Sequence, residues 1–364
     1  MIDYIINIDW LSVSCYGTLT APPFNWEVKQ TDQRNRIFST ISELYYFGEH
    51  VATVQSEPNS PLLKKDLMIV KIENHILYKE KVSEFTAYML TSWQWKFNNI
   101  NRVDVALDFQ HLNNNLSPQS LISGLFIGEY IRKGARMQVF HGADKNNIDR
   151  LYTTKAGNLV AYFNKEVNFN STSVTGYRCG SRASAVCVYL YNKTLELKQQ
   201  TDKPYIRKKW EQAGFDINKD TWRLEFSLKG KQFSQMQIAD FADDKLFNLA
   251  DSLIREYFEI RQNLPDGTHP KISLFDGGHT EQILIPKPKK AKGDKSAKLF
   301  ISRMCNELNR QASSDEPNAP ALFDVLRFAL YEYSEQYQLT EYAVKKCYLL
   351  NLTSVAEMFK NTNH

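Results

Sequence analysis

Cysteine is scarce here and badly spaced for structure. The five in 364 residues, Cys15, Cys179, Cys187, Cys305 and Cys347, form no CxxC pair, which argues against a disulfide framework or a zinc site and fits a reducing cytoplasm. Long apolar runs are missing too: no stretch approaches the ~20 residues a membrane helix needs. The opening MIDYIINIDW carries acids where a signal peptide would carry Lys or Arg, so a cytoplasmic protein is expected. Charge of one sign is also lacking. A net charge of +4 means that a polyanionic partner must be held by local basic clusters, not by a global field. No period of roughly 20–50 residues recurs, which excludes a solenoid.

What is present is an ordinary globular composition, 43% hydrophobic and 24% charged, on a chain long enough for two domains. Residues 4–16 read as a first strand, rich in Ile, Val and aromatics and ended by Gly17. Residues 36–49 and 51–55 read as a hairpin turned at Gly48–Glu49–His50, and 67–78 as a further strand. Residues 79–97 carry Val82, Phe85, Met89 and Trp93 at helical spacing. Ser117–Pro118 is a helix start, an N-cap followed by Pro at the first helical position. Residues 137–191 are strand-like, 203–214 form a basic helix, 222–228 another alternating strand and 243–261 an amphipathic helix. Beyond a Pro- and Gly-rich stretch the character changes. Lys287, Lys289, Lys290, Lys292, Lys295 and Lys298 crowd one segment, and 299–364 is helical in pattern. The expected fold is α+β: a mainly antiparallel sheet backed by helices over 1–285, then a basic linker and a small all-helical domain over 286–364.

The chemistry gathers on strands. In Arg102–Phe109, RVDVALDF, one face carries Arg102, Asp104, Ala106 and Asp108, and the other Val103, Val105, Leu107 and Phe109. Two desolvated carboxylates side by side cost several kcal/mol unless a cation shares the site. Arg102 could neutralise one, and a divalent metal could satisfy both; a water-exposed face with a simple Arg–Asp pair is the alternative. Trp222–Leu228 repeats the logic, with Arg223, Glu225 and Ser227 on one face. If the two strands are close in one sheet, Asp104, Asp108 and Glu225 converge as oxygen ligands of the kind that hold Mg²⁺ or Mn²⁺. Two half-exposed strands stitched by Arg–carboxylate pairs compete with that reading.

A third stretch, GYRCGSRASAVCVYLYNKTLELK, starts at Gly176. Gly180–Ser181–Arg182 offers flexible backbone, a hydroxyl and a guanidinium, a natural grip on a phosphate. Beyond it Cys187, Tyr189, Tyr191 and Lys193 share a strand face. A tyrosine beside a lysine can serve as a nucleophile if a cation or metal favours its phenolate; an amphipathic tyrosine with a snorkelling lysine is the plainer alternative.

Taken in order, these stretches resemble the replication initiation factor family, which comprises initiators of rolling-circle plasmid replication and related relaxases of integrative elements. The likeness is carried by Ile8–Asp9–Trp10–Leu11–Ser12, by Arg102, Asp104 and Asp108, by Gly180–Ser181–Arg182 with Ser184, by Tyr191-Asn-Lys193 with Glu196, and by Arg223-Leu-Glu225. It covers roughly residues 5–235. The family lacks the His-hydrophobic-His motif of other nicking enzymes, and the seven histidines here are all isolated. Asn192 stands where family members often have an acid.

The resemblance implies an enzyme that nicks one DNA strand at an origin, single-stranded or extruded as a hairpin. Tyr191 would be the nucleophile, with Tyr189 its rival. Arg182, Lys193 and Ser181 would hold the phosphate, and Asp104, Asp108 and Glu225 a divalent ion. Lys287, Lys289, Lys290 and Lys292 would clamp duplex phosphates, or form only a solvated linker. Plasmid replication and conjugative transfer both fit, and a host helicase partner and a dimer stay open. A metal-dependent nuclease using water, and a DNA-binding protein with no chemistry, are the rivals from other classes.

Overall fold

The computed structural model describes residues 4–132, 137–141, 149–153, 159–160, 174–180, 184–199, 203–230, 233, 235–275, 294–315 and 319–361. In chain order the first elements are β1 (Tyr4–Tyr16), β2 (Trp26–Gln30), β3 (Phe38–Tyr46), β4 (Glu49–Pro58), β5 (Leu67–Ile72), α1 (Asn74–Lys79), α2 (Val82–Ser92), β6 (Lys96–Phe109) and α3 (Pro118–Ile127). Next come β7 (Tyr130–Arg132), β8 (Met137–His141), β9 (Asp149–Thr153), β10 (Leu159–Val160), β11 (Val174–Cys179), β12 (Val186–Asn192), α4 (Lys193–Gln199), α5 (Pro204–Gln212) and β13 (Trp222–Lys229). The remainder is α6 (Asp243–Tyr257), β14 (Ile260–Gln262), β15 (Lys271–Ile272), α7 (Asp294–Ala312), α8 (Ala319–Gln336), α9 (Thr340–Leu349) and α10 (Thr353–Asn361). The protein is α+β.

Among the described residues, twelve strands form one sheet in the order β10-β9-β8-β11-β12-β13-β6-β1-β5-β4-β3-β2. At its centre β6 pairs antiparallel with β1 on one side and β13 on the other, and β13 pairs antiparallel with β12. β6 can sit centrally because Val103, Val105, Leu107 and Phe109 are all buried on one face. Each such side chain contributes roughly 1.5–3 kcal/mol when fully buried. Leu224, Phe226 and Leu228 of β13 and Val188 and Leu190 of β12 continue that core, to which α2, α3 and α6 add Met89, Leu121, Ile122, Leu249 and Leu253.

β1 does not alternate with a single phase. Tyr4 and Ile8 are buried, and so are Leu11, Val13 and Cys15, which shifts the buried set from even to odd positions. The register with β6 slips between Ile8 and Trp10, so Asp9 lies in a bulge. Such a bulge re-aims side chains and accumulates beside functional sites. Here it turns both Asp9 and Trp10 toward the polar face of the sheet.

Three boundaries differ from the sequence reading, one of them the helix expected over 243–261, which ends at Tyr257 before β14. The segment 67–78 is not one strand: β5 ends at Ile72, and the polar Glu73–Asn74 breaks it into the short α1, which buries Ile76, Leu77 and Tyr78. The helix expected over 79–97 is the shorter α2, because Trp93 closes it and β6 already begins at Lys96. The start of α3 is as expected: Pro118 follows the N-cap Ser117, whose hydroxyl accepts from Ser120 N at 3.0 Å.

The chain divides into two compact units. One comprises 1–31, 42–55 and 68–288; the other comprises 32–41, 56–67 and 289–364. The second unit has its own core, in which Ile301, Cys305 and Leu308 of α7 meet Leu330 of α8, Ala343 and Cys347 of α9, and Val355 and Phe359 of α10. Among the described residues no helix is long and apolar enough to cross a membrane.

Candidate active site

The polar face of the central strands is organised by Arg223, whose side chain is 0% exposed. Antiparallel pairing sets Arg223 opposite Asp108 on β6. Its Nε donates to Asp108 Oδ1 at 2.6 Å and its Nη2 to Asp108 Oδ2 at 2.8 Å. Nη1 reaches across to Asp9 Oδ1 at 2.6 Å, and Nη2 also donates to Tyr78 Oη at 2.8 Å. The Tyr78 hydroxyl in turn donates to Asp9 Oδ1 at 2.6 Å, and the Trp210 indole N–H donates to Asp108 Oδ2 at 2.8 Å. α1 and α5 thus cover this end of the face through Tyr78 and Trp210. Burial works to raise the pKa of Asp9, but Arg223, Lys193, the Tyr78 hydrogen bond and Lys203 together hold it well below the usual carboxylate range.

Two residues along β13 the environment reverses. Glu225 pairs with Ala106 on one side and Tyr189 on the other, and its Oε2 accepts from the Tyr191 hydroxyl at 2.9 Å. Burial, then the charges of Asp9 and Asp104, push the Glu225 carboxyl up to about 7 against the pull of Arg223 and Lys193. Burial and the Glu225 carboxylate likewise raise the Tyr191 phenol well above its ordinary value. Lys193 opens α4 directly after the strand. It is 1% exposed, bridges Glu196 Oε2 at 2.7 Å, and stands 5.6 Å from the centre of the Tyr191 ring. Burial, then Arg223, lower its pKa. Tyr189 is held to about 12 by burial and a hydrogen bond with Cys187. Asn192 caps α4 by accepting from Leu195 N at 2.8 Å and donates to Asp220 Oδ2 at 2.8 Å, so it points away from the tyrosine.

Asp104 lies opposite Ser227, and Arg102 binds both its oxygens, Nε to Oδ1 at 3.0 Å and Nη2 to Oδ2 at 2.5 Å. Asp104, Asp108 and Glu225 therefore do share one face of two adjacent strands, and burial of Asp104 and Asp108 excludes a water-exposed face there. They are not equivalent. Both oxygens of Asp108 are engaged by the fully buried Arg223 and by Trp210, so it does not fit as a metal ligand, whereas the Arg102 that engages Asp104 is one-third exposed and can swing aside. Asp104 and Glu225 fit by donor chemistry: Asp104 is one of the charges that raise the Glu225 pKa, and a cation would relieve it. Among the described residues no three His, Cys, Asp or Glu side chains are grouped as a metal cage.

Gly180 has φ +86°, and a Cβ there would meet the Val186 carbonyl at 2.9 Å, so this hairpin between β11 and β12 calls for glycine. Ser181 and Arg182, which follow it, lie outside the described residues, as do Lys287, Lys289, Lys290 and Lys292. Sequence reasoning placed Asp9 in a motif but not in the site, and missed Tyr78 and Trp210. The phase slip of β1 was the available signal for Asp9. Nothing local marks Tyr78 or Trp210, whose roles arise only from helix packing.

A wide antiparallel sheet with a phenol set against a buried acidic centre is the class of protein that this fold and site define. No protein-family model matches the chain, and no curated protein matches it. Among solved structures the chain is similar to a rolling circle replication initiator protein from Geobacillus stearothermophilus, at 14% sequence identity and a TM-score of 0.46, over 74% of this chain and 92% of that one.

Proposed function

We propose that the chain nicks and rejoins one DNA strand to start rolling-circle replication, with Tyr191 as the nucleophile. The observation that carries this reading is the 2.9 Å hydrogen bond from the Tyr191 hydroxyl to Glu225. A phenol aimed at a carboxylate held near 7 has an acceptor for its proton at working pH. Tyr191 Oη attacks the scissile phosphorus, the bond from phosphorus to the 3′ oxygen breaks, and the protein stays linked to the 5′ phosphate. The phenol's proton passes to Glu225 and from there to the departing 3′ oxygen. Because the phosphotyrosine link keeps the energy of the broken bond, the reverse attack by the 3′-hydroxyl reseals the strand.

Ser181 and Arg182 would grip the phosphate. Lys193, buried against Tyr191, sets the local field. Asp108 holds Arg223, and Arg102 orients Asp104. A divalent ion, Mg²⁺ or Mn²⁺, held by Asp104 and the Glu225 oxygen turned away from Tyr191 would polarise the phosphoryl oxygens and, by lowering the Glu225 pKa, would keep Glu225 ionised as the acceptor.

The test is incubation of the protein with labelled single-stranded origin DNA and Mg²⁺. A covalent adduct is expected from the native chain and from Tyr189→Phe, and none from Tyr191→Phe. Cleavage without an adduct would make water the nucleophile, and neither cleavage nor adduct would leave a binding protein.

A further inference from the structure

Trp10 has no part in the chemistry just described, yet its setting is the most elaborate on the open part of the face. The bulge at Asp9 turns it onto the polar side, opposite Asp104 in the register. Its ring is flanked from both neighbouring strands. Lys71 of β5 puts its Nζ 4.8 Å from the ring centre, and Arg102 of β6 puts its guanidinium 4.4 Å away. Both cations retain access to solvent, with side chains 32% and 33% exposed. One register step further, on β13, Lys229 lies opposite Arg102 on the same face. Lys71, Trp10, Arg102 and Lys229 thus form a line that crosses four adjacent strands.

Lys71 and Arg102 also have donors to spare. Arg102 uses Nε and Nη2 on Asp104, and a guanidinium carries five N–H groups. Lys71 gives one to Glu73 at 3.3 Å and has three. Attraction to the Trp10 ring holds two long, partly exposed side chains in place. Ordering is then largely complete before a ligand arrives.

We infer that Lys71, Trp10 and Arg102 form a station for single-stranded DNA, which crosses the sheet there on its way to Tyr191. The inference rests on the reading of the chain as a nicking enzyme. Cations interleaved with an aromatic on an open sheet suit a flexible single strand, whose backbone follows the charges. Through Asp104 and Ser227 the register sets Trp10 level with Cys187, three strands across and four residues along from Tyr191, roughly 20 Å in all at the usual spacings. It therefore grips nucleotides beside the cleaved bond, not the scissile phosphate.

The experiment is binding of the full chain to fluorescein-labelled oligothymidylate in excess chelator, followed by anisotropy over a range of salt. Lys71→Gln should weaken binding about 3- to 10-fold and flatten the slope of log affinity against log salt by about 0.7, the loss of one single-strand phosphate contact. Lys71→Arg should restore both. Trp10→Leu should weaken binding by a similar factor. Lys71 lies at the surface, so Lys71→Gln stays informative even if Trp10→Leu fails to fold. If the native chain binds and Lys71→Gln binds equally well with the same slope, the station is wrong while the nicking reading stands. If the native chain binds no single strand at all, both fall.

Discussion

Glu225 is where the electrostatics of the site and the stability of the fold meet. Its carboxyl, ordinarily near 4.5, is pushed up to about 7 by burial and by Asp9 and Asp104. Below pH 4.5 both the folded and the unfolded chain carry the proton, and the group contributes nothing. Between 4.5 and about 7 the unfolded chain loses the proton while the folded chain keeps it, so stability falls as pH rises. Above about 7 both are ionised and the full penalty stands, at most about 3 kcal/mol and less by whatever its exposed edge is screened. Glu225→Gln does not titrate and keeps an oxygen to accept from Tyr191. In chelator, its stability relative to the native chain should climb by up to about 3 kcal/mol from pH 4.5 to 7.5, read by urea unfolding at each pH. A flat difference would mean that Glu225 is ordinary in the metal-free protein.

At the scale of elements, one guanidinium on β13 ties together β1, β6 and α1, Trp210 of α5 joins through Asp108, and Tyr191 adds β12. Replacing Arg223 with Met would leave Asp108 buried without its cation and Asp9 with only the more distant Lys193 and Lys203, a loss of about 3–5 kcal/mol. Denaturant unfolding near neutral pH should show it, and the loss should shrink in acid as the Asp9 carboxyl takes up a proton. Much of this architecture could be read from the chain alone. RVDVALDF and WRLEFSL declare their two faces by period-2 alternation, and Ser117–Pro118 declares a helix by capping chemistry. The helix α1 could not be read, because Ile76 and Tyr78 have the propensity of strand residues and continue the apolar run of β5, turning helical only after the break at Glu73–Asn74. Nor could the division of labour among the acids. Asp104 and Asp108 look identical on paper, and only the reach of Arg223 and Trp210 from distant elements separates them.

At the scale of the molecule, the chain passes from one compact unit to the other at Pro288–Lys289, within the lysine-rich segment. Changing Lys287, Lys289, Lys290 and Lys292 to Gln should weaken duplex binding for all sequences alike and flatten its salt slope by roughly two to four, at about 0.9 per phosphate contact. Nicking of a short single strand should survive, and an unchanged slope would make the segment a plain linker. The longest reach in the site runs from Asp9 to Arg223, 214 positions apart, and it has a consequence for how the protein is made. A ribosome delivers Asp9 and Asp108 well before the arginine that neutralises them, so the nascent sheet cannot close until β13 has emerged. A chain released by premature termination before Arg223 has neither the closed centre nor Glu225. If the chain nicks DNA as proposed, such a fragment would be inert toward the DNA of the cell that made it, and only a translation product carried past β13 would cut.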